Sequence, residues 1–66
     1  NTEDALSSFY RALGIDPNHV ATLMSVKGVA EKLGRDDIAN QIEALYQRIQ
    51  NGEYITFEDI PGREGF

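Results

Sequence analysis

The residues of this chain best suited to chemistry are three pairs of adjacent carboxylates: Glu3-Asp4, Asp36-Asp37 and Glu58-Asp59. Acid–base catalysis needs two carboxyl groups from different elements, held across a cleft that excludes water. Each pair lies instead at a predicted helix start or in the tail, where carboxylates satisfy free N–H groups and complement the helix dipole. We therefore expect these pairs to be structural and the chain not to be an enzyme.

The single histidine, His19, is a second candidate because it forms a triad on paper with Ser25 and Asp16. Ser25 falls in the middle of a predicted helix without the glycine pattern of a nucleophile elbow, and a triad is defined by geometry that local sequence does not show. The pattern favours a solvent-facing or capping histidine. With one histidine and no cysteine, no metal site and no cofactor are expected.

The charge balance argues against nucleic acid as a partner. Eleven acidic residues face six basic ones, for a net charge of −5, and the basic residues are scattered along the chain. A duplex binder gathers several cations on one face to displace counterions. The segment Val29 to Gly34 resembles the start of a helix-turn-helix DNA reader, but Asp36, Asp37 and Glu43 follow it and would repel phosphates.

Hydropathy indicates a soluble chain, and we expect a cytoplasmic one. No apolar stretch approaches the roughly 18 residues that a membrane span requires, and the first residues lack the layout of a signal peptide. A chain that begins on Asn1 rather than on methionine is expected to be trimmed from a longer one.

Apolar spacing predicts three helices. The first begins near Asn1 to Asp4 and ends at Gly14, the second spans about Asn18 to Leu33 with Asp16 or Asn18 as its cap, and the third runs from Asp36 or Asp37 to Asn51-Gly52. Their apolar stripes are predicted to contain Ala5, Leu6, Phe9, Ala12 and Leu13; Leu23, Val26, Val29, Ala30 and Leu33; and Ile38, Ala39, Ile42, Leu45, Tyr46 and Ile49. Gly28, inside the second helix, marks either a close backbone approach or a tolerated glycine.

The tail changes period after Gly52. Residues 54–58 alternate and are rich in β-branched and aromatic types, which predicts an extended arm. Since a lone strand is unstable in water, this arm either folds back on the helices or adds to another chain. The expected fold is thus all-α, a three-helix antiparallel helix-turn-helix unit (1–52) with an extended C-terminal arm (53–66).

From Ala5 to Ala39 the chain resembles the tetratricopeptide repeat, a helix-turn-helix unit of about 34 residues. The positions that carry the resemblance are Ala5, Phe9, Ala12 and Pro17 for the end of one unit, then Leu23, Val26, Ala30, Leu33-Gly34 and Ala39 for the next. It implies helix pairs that stack and a groove that binds extended peptides. Lys27, Glu43 and the absence of a proline near Asn51 depart from the pattern, and one and a half repeats fall short of the three a solenoid usually needs.

These features favour a non-catalytic protein-protein interaction module that associates with itself, as a homo-oligomer, or docks on a larger assembly. A chain this short buries only about 60% of the surface that it exposes when unfolded. We therefore expect apolar side chains at the edges of the helical stripes to stay exposed and to contact a partner. The expected interface residues are Tyr10, Met24, Tyr46, Ile49, Tyr54, Ile55, Phe57 and Ile60.

Two alternatives stay open. The resemblance implies a peptide groove on the second helix, lined by Met24, Ser25, Gly28 and Lys32. In the other, the chain is a small acidic regulator whose tail is a linear motif for an enzyme partner, in which case deletion of residues 53–66 leaves the helices folded.

Overall fold

The computed structural model describes residues 2–63 and has three antiparallel helices. These are α1 (Thr2–Ile15), α2 (Val20–Lys32) and α3 (Asp36–Gln50), followed by a 3₁₀ turn at Phe57–Asp59. No strand occurs between residues 2 and 63, so the predicted all-α, three-helix unit is confirmed. Asn1, a predicted capping residue, and residues 64–66 of the predicted arm lie outside the described part.

Glycines end the second and third helices. Gly34 and Gly52 have φ of 74° and 87°, a left-handed conformation that carries no Cβ penalty. The N–H of the residue after each glycine then donates to a carbonyl inside the helix, Arg35 to Ala30 at 2.8 Å and Glu53 to Arg48 at 3.0 Å. This is the Schellman arrangement, and it fixes the direction in which the chain leaves each helix.

The predicted end of α1 was wrong by one residue, and the predicted start of α2, at Asn18, was wrong by two. α1 does not stop at Gly14 but continues to Ile15, and the N–H of Asp16 still donates to Ala12. α2 is capped by His19, whose ring nitrogen accepts from the Thr22 N–H, rather than by the side chain of Asp16 or Asn18.

The core is formed by one stripe from each helix and by two residues of the tail: Leu6, Tyr10 and Leu13 of α1, Leu23, Val26 and Ala30 of α2, Ala39, Ile42 and Leu45 of α3, and Ile55 and Ile60. α2 lies in the middle and packs against both other helices. The stripe of α3 agrees with the prediction. The buried stripe of α1 is rotated relative to the predicted one, because Tyr10 is buried while Ala12 is exposed. Leu33, predicted in the stripe of α2, lies beyond the end of that helix and is exposed.

The tail is not a free arm. It leaves the C-terminal end of α3 and runs back along the helices, where Ile55 and Ile60 are only 2% and 1% exposed. The Tyr10 hydroxyl donates to the Pro61 carbonyl at 2.8 Å, and at Gly62 a Cβ would meet Tyr10 of α1 and Ile38 of α3. The segment therefore lies between α1 and α3, so deletion of residues 53–66 would remove part of the core and is no longer expected to leave the helices folded.

Gly28 is a tolerated glycine in this chain. A Cβ built on it meets no described atom within 4 Å, and its φ is not in the left-handed region. We therefore expect Gly28→Ala to raise the free energy of unfolding by about 0.5–1 kcal/mol, because alanine loses less backbone entropy on folding. Urea denaturation measures the change. Gly34→Ala, at positive φ, is the matched control and should lower the free energy of unfolding. A loss of stability in Gly28→Ala would mean that the space around Gly28 does not accommodate a Cβ.

Candidate interaction surface

The residues considered for catalysis are occupied by local structural contacts. Ser25 donates its hydroxyl proton to the Ala21 carbonyl at 2.9 Å, His19 Nδ1 lies 2.8 Å from Thr22 Oγ1, and Asp16 accepts from the Asn18 N–H at 3.1 Å. The three side chains therefore do not form a triad, and His19 caps α2, which is one of the two roles that the pattern favoured for it. Among residues 2–63 no group of three or more histidine or acidic side chains is placed to hold a metal ion.

The three carboxylate pairs are exposed, and each lies in a first helical turn. Glu3 and Asp4 are in the first turn of α1, Asp36 and Asp37 in that of α3, and Glu58 and Asp59 in the 3₁₀ turn. The hydrogen bond and charge of Arg35 lower the pKa of Asp37 from its ordinary value. These are the contacts that helix N-termini favour.

The eight predicted interface residues divide by burial. Tyr10, Ile55 and Ile60 were wrongly placed at an exposed interface, because the tail packs against α1 and buries all three. Met24, Tyr46, Ile49 and Phe57 are partly buried. Tyr54 alone of the eight is fully in solvent, at 86% exposed.

The four residues of the predicted peptide groove share the outer side of α2. Met24 and Gly28 are partly buried, while Ser25 and Lys32 are exposed. None of them lines the cavity formed by Asn18, Ile49, Gly52, Glu53 and Tyr54.

A cavity of about 260 Å³ lies where α1 and α3 end. Asn18, in the loop between α1 and α2, bonds to Ile55 of the tail and shares one cavity with Ile49 of α3. The C-terminal ends of α1 and α3 therefore lie at one end of the bundle, with the first turn of α2 and the start of the tail. The cavity is lined by Asn18, Ile49, Gly52, Glu53 and Tyr54. Ile15, at this same end, is 85% exposed. We call these six residues the loop-end surface.

Tyr54 is held in the solvent by fixed backbone on both sides. Before it, Glu53 is tied to α3 by the Schellman hydrogen bond. After it, the Asn18 side chain forms two hydrogen bonds with the backbone of Ile55, accepting from the N–H at 2.8 Å and donating to the carbonyl at 2.9 Å. The exposure of Tyr54 is therefore set by the fold and not by a loose end of chain.

Asn18 is the residue of the loop-end surface whose structural role the sequence pattern did not indicate. Its position after Pro17 predicted only a helix cap, and its hydrogen-bonding partner lies 37 residues away. An amide side chain is suited to the role because it carries a donor and an acceptor side by side, which matches the N–H and C=O of one extended residue.

Ion pairs and hydrogen bonds fasten the tail next to the loop-end surface. Arg48 lies 3.4 Å from Glu53 and 3.9 Å from Asp59, measured between nitrogen and oxygen. Asp59 also accepts hydrogen bonds from the N–H and the hydroxyl of Thr56, at 2.9 and 3.2 Å. The guanidinium of Arg63 lies 5.9 Å from the centre of the Phe57 ring. Such exposed pairs contribute little singly but act here on one short segment.

The contacts of Asp59 predict a specific loss of stability in acid. The Thr56 backbone N–H, with the Thr56 hydroxyl and the charges of Arg48 and Arg63, lowers the pKa of Asp59 despite partial desolvation. A carboxylate with a depressed pKa stabilises the fold above its unfolded pKa, about 3.9, and loses that contribution as pH falls through the folded pKa. We expect Asp59→Asn to be less stable than the native chain at pH 7, with a difference that shrinks below about pH 3.9.

Urea unfolding at a series of pH values measures that difference. Glu58→Gln is the matched control, because it removes the neighbouring exposed carboxylate, which accepts neither Thr56 hydrogen bond. A difference between Asp59→Asn and the native chain that stays constant with pH would contradict the prediction.

The chain matches no protein-family model, and neither a curated protein nor a solved structure shows significant similarity to it. The resemblance to the tetratricopeptide repeat therefore stays a prediction. Among residues 2–63, none of the helices has both the length and the apolar character needed to cross a membrane.

Proposed function

We propose that the chain is a non-catalytic, cytoplasmic protein-protein interaction module that binds its partner through the loop-end surface. The observation that carries the proposal is Tyr54, 86% exposed beside a cavity of about 260 Å³ and fixed on both sides by backbone hydrogen bonds. The absence of cysteine suits a reducing compartment.

A fixed aromatic residue in solvent is a good anchor for binding. Tyrosine offers a large contact area with few rotatable bonds, and a backbone that is already ordered loses less entropy when a partner binds. Binding energy at protein interfaces is concentrated in a few such residues next to pockets. Tyr54 has an ordered backbone and lies next to a pocket, and Ile49 supplies an apolar wall of that pocket.

The partner is a second copy of the chain or a different protein. The packing of the tail argues against the other role considered from the sequence, a small acidic regulator whose tail is a linear motif. A tail that acts as a linear motif must be available to its receptor, whereas Ile55 and Ile60 are in the core. Capturing this tail would require a receptor to unfold part of the domain.

The test compares Tyr54→Ser with Leu33→Ser. Leu33, 54% exposed, lies at the opposite end of the bundle and serves as a matched exposed residue. Light scattering over a concentration series measures self-association, and selection from a displayed random-peptide library measures binding to other sequences. We expect association or peptide binding that is lost in Tyr54→Ser and kept in Leu33→Ser, with both variants folded by circular dichroism. Binding that is unchanged in Tyr54→Ser, or no binding at all, would overturn the proposal.

A further inference from the structure

We infer that the partner of the loop-end surface is a basic segment, an apolar anchor side chain flanked by lysine or arginine, rather than a second copy of the chain. This inference rests on the proposed function and names the class of its partner. It follows from the charges around Tyr54 and from the directions of the helices that end there.

One acidic side chain lines the cavity of the loop-end surface, and three more lie in the adjoining loop and tail. Glu53 lines the cavity, Asp16 lies in the adjoining loop, and Glu58 and Asp59 follow in the tail. Two basic side chains near the tail carboxylates are already engaged. Arg48 pairs with both Glu53 and Asp59, and Arg63 lies over the Phe57 ring. Asp16 and Glu58 are exposed, and neither forms an ion pair with another residue between 2 and 63.

Helix dipoles add to this negative potential. α1 and α3 both end at the loop-end surface, so their carbonyl ends face it, whereas only α2 begins there. The C-terminal end of a helix carries a partial negative charge that favours a cation. α3 has Arg48 in its last turn, but α1 has no basic residue in its last turn. The partial negative charge at the C-terminal end of α1, next to the exposed Ile15, is thus available to a basic side chain of a partner.

A second copy is a poor occupant of the same surface. The chain has a net charge of −5, and a symmetric dimer through this end would bring Asp16, Glu53 and Glu58 of one copy toward the same residues of the other. Like charges brought together at an interface cost free energy and slow association. A basic segment meets the same groups with opposite charge, while its apolar anchor fills the cavity beside Tyr54.

The experiment uses a matched pair of synthetic peptides. Each carries one tryptophan anchor, flanked on both sides by two lysines in the first peptide and by two glutamates in the second. The chain has no tryptophan, so the emission of the peptide reports binding without interference. We expect the lysine peptide to bind at least about tenfold more tightly than the glutamate peptide, and its affinity to fall several-fold when NaCl is raised to about 0.5 M.

Two double variants separate a local effect from the overall charge. Asp16→Asn with Glu58→Gln removes two charges beside the loop-end surface, and Glu31→Gln with Asp36→Asn removes two exposed charges at the opposite end. The first should lower the affinity for the lysine peptide about tenfold and the second by less than about twofold. An equal loss in both would mean nonspecific attraction and would overturn the inference.

The remaining outcomes distinguish the inference from the proposed function. Equal binding of both peptides, lost in Tyr54→Ser, overturns the basic partner and leaves the interaction module standing. A dimer that depends on Tyr54 does the same, because the occupant is then a second copy. If neither peptide binds and the chain stays monomeric at all concentrations, both the inference and the proposed function are overturned.

Discussion

Ile60→Ala is expected to lower the free energy of unfolding by about 3 kcal/mol, because it removes buried methyl groups and leaves a cavity between the tail and the helices. Ile60 is 1% exposed, as deeply buried as the central leucines of the helices. A domain of this length has a total stability of about 3–10 kcal/mol. The substitution is therefore expected to remove about a third or more of the total stability, although Ile60 lies in no helix.

Urea denaturation followed by circular dichroism at 222 nm measures this loss. Ile15→Ala is the matched control: the same atoms are removed from a residue that is 85% exposed, and the expected change is within about 0.5 kcal/mol. If Ile60→Ala proves too unstable to purify, Ile60→Val should still cost about 1 kcal/mol. Equal stabilities of Ile60→Ala and Ile15→Ala would mean that the tail does not pack on the helices in solution.

The helices could be predicted from the sequence because the signals that start and stop them act over a few residues. Glycine at positions 34 and 52, acidic first turns and a proline after α1 each constrain the backbone locally. α2 was expected from Asn18 to Leu33 and spans Val20–Lys32. The remaining error comes from competition between neighbouring caps, since His19 rather than Asn18 satisfies the free N–H group.

The path of the tail could not be predicted, because it depends on contacts between residues far apart in the sequence. Asn18 meets Ile55 across 37 residues, and Tyr10 meets Pro61 across 51. Alternation in residues 54–58 predicted an extended arm, but the 3₁₀ turn at Phe57–Asp59 interrupts it, and both Ile55 and Ile60 reach the core. Leu6, Tyr10 and Leu13 follow one another at steps of four and three residues, a spacing that places them on one face of a helix. This spacing indicates that Tyr10 is buried, but the predicted stripe of α1 contained Phe9 instead of Tyr10.

The candidate surface was predictable only in part for the same reason. The sequence pointed to Tyr54 and Ile49 among eight apolar residues but offered no means of separating those that the tail buries from those it leaves in solvent. Once Asn18 fixes Ile55 in the core, alternation along the extended backbone turns Tyr54 outward. One amide side chain thus contributes both to the packing of the tail and to the exposure of the proposed anchor.

Asn18→Asp is expected to cost about 2 kcal/mol at pH 7, since it keeps the acceptor for the Ile55 N–H but replaces the donor to the Ile55 carbonyl with a charged oxygen. Two oxygens then face each other in a partly buried site. Protonation of the new carboxyl would restore a donor. Its pKa in the folded chain should therefore be raised, so that the lost stability returns as pH falls through that raised value.

The measurement is the difference in unfolding free energy between Asn18→Asp and the native chain at each pH, because acid also weakens the native contacts of Asp37 and Asp59. Asn40→Asp makes the same charge change at an exposed position of α3 and should give a small difference without the recovery in acid. Amide hydrogen exchange at Ile55 should also accelerate in Asn18→Asp and not in Asn40→Asp. Unchanged exchange at Ile55, or equal stabilities of the two variants, would mean that Asn18 does not hold the tail, and the exposure of Tyr54 would then be fixed on the Glu53 side alone.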